Sequence, residues 1–539
     1  MHSPTLALGD VGARVADIIR SRIEERCPAR VADGRAALTL TLALDGEVAA
    51  EGFRIEDDGA GLRIVGGDGL GLFAGAGKFL RSSCYTASGF QPSAWRGVSR
   101  PQCRVRGMYL ACHFHNWYQA APAREVQRYV EDLALWGINA VGSTFPFINL
   151  NGWEDPEAER SLQQVRRLLR AAESLGLRTC LFVGNALFNN TPSALRATPV
   201  NDPLGRRGNS GAPVCPHDRA ANAMLRDCYQ RLFERLSDLH IDYLCVWPYD
   251  EGGCGCTRCA PWGANGFLKV ARELAAVART YSPAIEVILS TWMFDTPQEG
   301  EWEGLARALA ASDHGISYLM ADSHEDFPRY PLEAGVPGDL PLLNFPEISM
   351  WGLYPWGGFG ATPLPARHER IWRQAGDHLA GGFAYSEGIY EDINKAVISQ
   401  LYWDRQTTAA SALREYIAYE YAPEMIALVR RMIALIESSH TRAARGEQAR
   451  PEAVREALAV AHQVNAQLPA WARGGWRWRI LFVRAVLDSE RYVSGRLDTP
   501  AGDAALRELI GIFHARLTDD GTDPYHCRVR PPLTLTAMR

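Results

Sequence analysis

The sequence predicts an α/β chain: a (β/α)8 TIM barrel with an N-terminal α+β domain before it and a C-terminal helical domain after it. Three observations lead there. From Val105 onward, short apolar runs alternate with helical patterns through eight repeats, the rhythm of parallel β/α units. Before Val105, apolar and polar residues alternate one by one, as in half-buried strands. After Trp403 the strand signals stop and only the helical period continues.

Taken in order, an amphipathic pattern over 11–25 predicts a helix, and the strict alternation over 38–44 predicts a strand. The same alternation returns at Phe53-Arg54-Ile55-Glu56 and Leu62-Arg63-Ile64-Val65 with a glycine turn between them, and a second helix follows near 72–82. These make an α+β layer of about 95 residues, and 92–101 reads as a linker. Barrel strands are expected at 105–110, 140–143, 179–183, 243–247, 287–290, 316–320, 342–345 and 382–386. Intervening helices are expected at 125–136, 163–174, 222–239 and 267–279, with a long loop insertion over 184–216. Eight units over about 300 residues fit a barrel whose usual size is about 250 and grows with its loops. Five helices then fill 409–421, 424–438, 451–468, 478–492 and 502–518, so the expected domains are 1–100, 101–405 and 406–539.

At 539 residues, 22% charged and with net charge −5, the chain carries neither a nucleic-acid footprint nor a polybasic membrane patch. No stretch approaches the roughly 20 apolar residues that cross a bilayer, and the start lacks a signal-peptide pattern. A cytoplasmic protein acting on an uncharged small molecule is expected, with homodimeric assembly left open. The 12 cysteines fall mostly inside apolar patterns, as reduced buried thiols do.

The chemistry is expected where barrel strands end, because those ends converge on one face. Asp250 and Glu251 directly follow the apolar run 241–248, and the glycines and cysteines after them are too glycine-rich for an ordinary helix start. Adjacent carboxylates in that place suit proton transfer by one and orientation by the other, as in sugar chemistry. Other strands lead to His113, His115 and Asn116, to Trp292 and Asp295, to Asp322, to Glu347 with Trp351 and Tyr354, and to Tyr385 and Glu387. Aromatic rings among carboxylates match a sugar, which shows apolar C–H faces and hydroxyl edges. No phosphate loop, dinucleotide fingerprint or nucleophile elbow stands out.

Cys254, Cys256 and Cys259 form a C-x-C-x-x-C cluster that invites a zinc reading. Three thiols are an incomplete site, and Cys215 or His217 would have to complete it. The expectation is packing around the fourth-strand loop, with no metal and no cofactor.

Glu51-Gly52-Phe53-Arg54-Ile55, Gly61-Leu62-Arg63-Ile64 and the glycine-rich run from Gly71 to Leu80 resemble the small N-terminal domain of family 20 β-N-acetylhexosaminidases, which family 67 α-glucuronidases share. Arg106-Gly107-Met108-Tyr109-Leu110 is similar to the opening of their barrel. The resemblance spans roughly 35–400, with a helical tail like those of family 67 and family 84 enzymes. It implies a glycoside hydrolase in which Glu251 is the general acid and Asp250 holds a substrate acetamido group that attacks the anomeric carbon. Two departures stand out. The family pair usually sits in a His-x-Gly-Gly-Asp-Glu setting, whereas here Val246-Trp247-Pro248-Tyr249 precede it. The first strand ends in Ala111, Cys112, His113 and Phe114, where the family has an Asp and an Arg for sugar hydroxyls.

The expectation is therefore an exo-acting, retaining, hexosaminidase-like glycosidase that takes a glycoside or small oligosaccharide. Catalysis falls to Asp250 and Glu251, and binding to His113, His115, Asn116, Trp292, Trp351, Tyr354, Tyr385 and Glu387. An inverting glycosidase like the α-glucuronidases, with Asp322 or Glu347 as the base, is the alternative. A non-catalytic carbohydrate-binding barrel is the third reading, because fold does not fix function.

Overall fold

The computed structural model of the chain describes residues 8–32, 37–59, 61–112, 116–200, 212–247, 253–292, 294, 300–311, 314–349, 361–496 and 498–514. A helix, Leu8–Glu24, precedes strands β1 (Thr39–Leu44), β2 (Phe53–Asp58) and β3 (Gly61–Gly66). The helix Gly69–Arg81 follows, then a hairpin of β4 (Cys84–Thr86) and β5 (Gly89–Gln91), and then β6 (Gly97–Ser99). The order β1-β3-β2-β6 makes a four-stranded sheet in which β1 runs parallel to β3. The glycine-rich helix Gly69–Arg81 lies close on this sheet: a Cβ at Gly71 would sit 2.1 Å from the Gly52 carbonyl oxygen. Asp68 caps its start by accepting from the Gly71 amide.

Eight parallel strands then close a barrel: β7 (Val105–Leu110), β8 (Ala140–Thr144), β9 (Arg178–Val183), β12 (Tyr243–Val246), β13 (Glu286–Ser290), β14 (Tyr318–Ser323), β15 (Leu342–Pro346) and β16 (Leu379–Ser386). The two-residue strands β10 (Ala186–Leu187) and β11 (Ala212–Pro213) pair within the expected long insertion. All eight expected barrel strands are present. Their period of two sorts the side chains cleanly. Tyr109, Cys180, Phe182, Cys245, Trp247, Ile288, Met320, Phe345 and Phe383 pack together inside the barrel. Their neighbours Met108, Leu110, Leu181, Val183, Leu244, Val246, Leu289 and Leu319 join the core under the helices. The interior is a packed aromatic stack rather than a pore, with Tyr109 and Phe182 ring centroids 4.4 Å apart.

The N-terminal sheet is fastened to the end of the barrel where strands begin. Arg106 at the start of β7 donates to Glu51 at 2.5 Å, Asn139 donates to the same oxygen at 2.8 Å, and Arg178 lies 3.0 Å from the other carboxylate oxygen. Burial alone would raise the Glu51 carboxyl, but Arg106 and Arg178 hold it below its usual range. The Arg106 and Glu51 of the two resemblance segments thus meet as one buried interdomain contact, far from the strand ends that carry chemistry.

Beyond the barrel, the helices Ala409–Glu420, Ile426–Ala444, Pro451–Gln467, Trp476–Ser489 and Pro500–Ile512 follow. Arg477 fixes them to the barrel helices, donating to Asp392 at 2.8 Å and to Asp132 at 3.0 Å. Among the described residues, no helix is long and apolar enough to cross a membrane.

Candidate active site

The inward register of the last three barrel strands leads at each C-terminal end to a carboxylate. Asp322 stands two residues beyond Met320, Glu347 two beyond Phe345 and Glu387 two beyond Tyr385. Neighbouring strands keep them at similar height, since Asp322 pairs with Phe345 across the β14–β15 ladder and Glu347 bridges Tyr385 across β15–β16. Beneath them lies an aromatic floor: Trp247 packs edge-on against Trp292 at 6.4 Å and against Phe345 at 5.5 Å. His324 approaches Trp292 with ring centroids 4.6 Å apart.

Glu387 is the carboxyl whose surroundings are most unusual. Its Oε1 accepts from the Tyr385 hydroxyl at 2.6 Å and its Oε2 from the Tyr390 hydroxyl at 3.3 Å. Burial, reinforced by the negative charges of Glu347 and Glu391, outweighs these donors and pushes Glu387 up to about 8. A glutamic acid that keeps its proton at neutral pH can donate it.

Serine and glutamate side chains hold this end of β16 in place. Ser349 Oγ donates to Glu391 at 3.0 Å and accepts from the Glu387 amide at 3.0 Å. Fully buried Glu391 also accepts from the amides of Glu387 and Gly388 and from the Ser386 hydroxyl. Glu347 is only 1% exposed and accepts from the Ser349 amide at 2.7 Å, which aims its carboxylate. Arg367, on the helix Pro365–Ala375, donates to the backbone carbonyls of Glu347 and His324, clasping the ends of β15 and β14 together. Burial lowers the Arg367 guanidinium to about 10.

The expected site residues therefore divide. Trp292, Asp322, Glu347, Tyr385 and Glu387 come to the same barrel mouth on the inward register. Asn116, expected to bind substrate, has both ends of its amide engaged by backbone: Oδ1 accepts from Tyr118 N and Nδ2 donates to Ala111 O at 2.9 Å. These bonds shape the turn after β7. His113, His115, Asp250, Glu251, Asp295, Trp351 and Tyr354 lie outside the described residues. Trp247, Ser349 and Arg367 were not singled out as site residues in the sequence. The first could have been, as the last inward position of the strand expected at 243–247, whereas the other two work through contacts that no local pattern announces.

Of the two candidates for a fourth ligand beside the C-x-C-x-x-C cluster, the structure brings Cys215 to Cys254, Cys256 and Cys259, with all four sulfurs within 4.8 Å of one another. His217 is turned aside, its Nε2 lying 3.0 Å from the Asn265 carbonyl oxygen.

No protein-family model matches the chain, and no curated protein matches its sequence. Solved structures do match its fold. A family 115 4-O-methyl-α-glucuronidase with specificity for decorated arabinogalactans superposes with a TM-score of 0.61 at 11% identity, over 95% of this chain and 75% of its own. A family 89 glycoside hydrolase from Clostridium perfringens, solved with its substrate GlcNAc-α-1,4-galactose, gives 0.61 at 11% identity over 94% of this chain and 65% of its own. The family 20 β-N-acetylhexosaminidase of Streptomyces coelicolor gives 0.50 at 13% identity over 81% of this chain and 90% of its own. The fold is thus the one on which glycoside hydrolases of several families are built.

Proposed function

We propose that this protein is an exo-acting glycoside hydrolase taking a glycoside or small oligosaccharide at the mouth of the barrel. The observation that carries the reading is the convergence of Asp322, Glu347 and Glu387 over the Trp247–Trp292 floor. A sugar ring needs an apolar platform for its C–H face and carboxyl groups for its hydroxyls and for proton transfer. A pure binder would not need Asp250, Glu251, Asp322, Glu347 and Glu387 together after the strand ends. The structural neighbours act on glycosidic bonds, which supports the same chemistry here.

In this reading Glu251 protonates the departing oxygen, Asp250 orients and stabilises a substrate acetamido group as that group attacks the anomeric carbon, and the configuration is retained. Asp322, Glu347 and Glu387 then hold ring hydroxyls. One observation favours a second reading, in which water attacks directly and the configuration inverts: Glu347 is buried, aimed by the Ser349 amide and inward-facing, as a base across the ring would be. Hydrolysis of nitrophenyl N-acetylhexosaminides and uronides, with the first-formed anomer read by NMR, tests both. The first reading expects retention, tight inhibition by a thiazoline mimic of the cyclised intermediate, and a crippled Asp250→Asn. Inversion, no special thiazoline affinity and a crippled Glu347→Gln would replace it with the second. Absence of hydrolysis across the panel together with measurable sugar binding would leave only a binding protein.

A further inference from the structure

The four-cysteine cluster is built from two separate segments with a third packed around it, and its geometry is that of a metal site. Cys254, Cys256 and Cys259 follow β12, while Cys215 comes from the end of the long insertion, just before the helix Arg219–Arg235. Cys215 Sγ lies 3.9 Å from Cys256 Sγ and 3.7 Å from Cys259 Sγ. A tetrahedron with Zn–S bonds of about 2.3 Å has edges of roughly 3.8 Å. A disulfide would need sulfurs at about 2.0 Å, so these pairs are arranged around a common centre rather than bonded to each other.

The surroundings hold the thiols in place. Cys215 begins a tight turn in which the Asp218 amide donates to its carbonyl oxygen at 3.1 Å, and the Cys259 amide donates to the Cys256 carbonyl at 3.0 Å. The third segment packs around the knot: the Gly255 amide donates to the Thr198 carbonyl at 2.9 Å, and a Cβ at Gly255 would meet the Pro199 carbonyl oxygen at 2.5 Å. Cys259 is fully buried, Cys254 and Cys215 nearly so, and Cys256 is half-buried; four thiolates complete a tetrahedral shell.

We propose that Cys215, Cys254, Cys256 and Cys259 bind one Zn2+ as a closed, structural tetrathiolate site. Binding replaces four S–H protons by four Zn–S bonds and releases up to four protons, with no change of oxidation state. Its role is mechanical. It ties the end of the insertion to the loop after β12, the loop whose beginning carries Asp250 and Glu251 in sequence. This inference stands on the sulfur geometry and holds or falls independently of the glycosidase reading.

The test is native mass spectrometry and elemental analysis of the full chain purified without chelators. The expected result is about one zinc per chain, released by four equivalents of an organomercurial and reported by a zinc-sensitive dye. Cobalt supplied during expression should give thiolate-to-metal charge-transfer bands and the intense d–d bands of tetrahedral Co2+. Cys215→Ser and Cys256→Ser should each weaken zinc binding by more than about 10-fold, an effect that supporting-shell changes alone already reach. Cys228→Ser, outside the cluster, should keep the full complement. The wild-type measurements decide the matter even if a serine variant fails to fold. A chain free of zinc after expression in zinc-supplemented medium, or one holding iron or two disulfides at these positions, overturns the proposal.

Discussion

The Tyr385 hydroxyl donates to Glu387 Oε1 at 2.6 Å along a single strand end, linking the last aromatic ring of the barrel interior to the first carboxyl above it. The bond favours the ionised carboxylate, yet burial and the charges of Glu347 and Glu391 prevail and hold Glu387 at about 8. The opposition sets the direction of two effects. Tyr385→Phe removes a donor that stabilises the anion, so Glu387 should ionise at still higher pH. Activity that depends on neutral Glu387 should fall through an alkaline limb near pH 8 in the wild type, move upward in Tyr385→Phe and lose that limb in Glu387→Gln. A pH–rate profile with the same alkaline limb in all three proteins would remove Glu387 from the reaction. For stability the sign is the reverse of the usual acid. With the native value raised, burying Glu387 becomes a growing penalty as pH rises from the unfolded value of about 4.3 to about 8, because the unfolded chain ionises there while the native carboxyl keeps its proton; the penalty is absent below that window.

Glu251→Gln keeps the size and hydrogen-bonding ends of the side chain but removes a transferable proton. Turnover of an unactivated glycoside should drop by roughly 10²- to 10⁴-fold, the usual worth of a general acid. An activated nitrophenyl leaving group needs less protonation and should suffer less. Steady-state kinetics on both substrates, with circular dichroism to verify the fold, checks this; equal losses on the two would assign Glu251 another task.

The barrel was legible because its strands change period from their neighbours, and what was not legible has physical reasons. The helix Pro156–Glu173 begins seven residues before the expected 163, because its charged first turn carries no apolar period and only Asp155 and Pro156 mark its start. Strand β14 runs on to Ser323, past the expected end at 320, because Asp322 and Ser323 look like loop residues in sequence. A strand end that carries a carboxylate hides itself in this way. Strand β16 starts at Leu379, three residues before the expected 382, because Ala380, Gly381 and Gly382 show no alternation, and Gly381 has a φ of +129° that only glycine adopts readily. Cys215 could be named only as one of two candidates for the fourth ligand, because it lies 41 residues before Cys256 and no spacing rule chooses between it and His217 for a distant triplet. The Ser349, Arg367 and Glu391 supports are likewise long-range contacts that only the folded chain assembles.

Arg477 sits among three buried or nearly buried carboxylates, 2.8 Å from Asp392, 3.0 Å from Asp132 and 3.7 Å from Glu420. Arg477→Met fills the space but leaves those charges with less compensation, and breaking a buried pair in this way costs about 3–5 kcal/mol. Burial alone would raise Asp132, whereas Arg22 and Arg477 hold it well below the usual carboxylate range. Its contribution is thus fully present above the unfolded value of about 3.9 and fades as pH falls through the native value. Urea unfolding should show the deficit of Arg477→Met in full at pH 7 and a smaller one only as pH falls below about 3.9. A deficit independent of pH would point to lost packing rather than lost charge.

Glu437 connects the C-terminal helices to the barrel mouth through one intermediate residue. Its carboxylate accepts from the amides of Ala366 and Arg367 at 3.2 and 2.9 Å, capping the first turn of the helix Pro365–Ala375. The Arg367 side chain then reaches the carbonyls of Glu347 and His324. Burial outweighs the two amide bonds and raises Glu437 to about 7, so the cap is half-ionised near neutral pH and strengthens as an acceptor above it. Glu437→Ala removes the cap and should destabilise the protein by roughly 0.5–2 kcal/mol, the range measured for lost helix caps. It should also lower kcat more than it raises KM, because the displaced element carries Glu347 rather than the aromatic floor. Glu437→Gln retains an acceptor and should recover most of the stability at pH 6, where the native glutamate is itself largely protonated. Arg367→Met should reproduce the kinetic defect while leaving the cap intact. If Glu437→Ala unfolds more easily yet turns over substrate as the wild type does, the helical domain stabilises the barrel without positioning its chemistry.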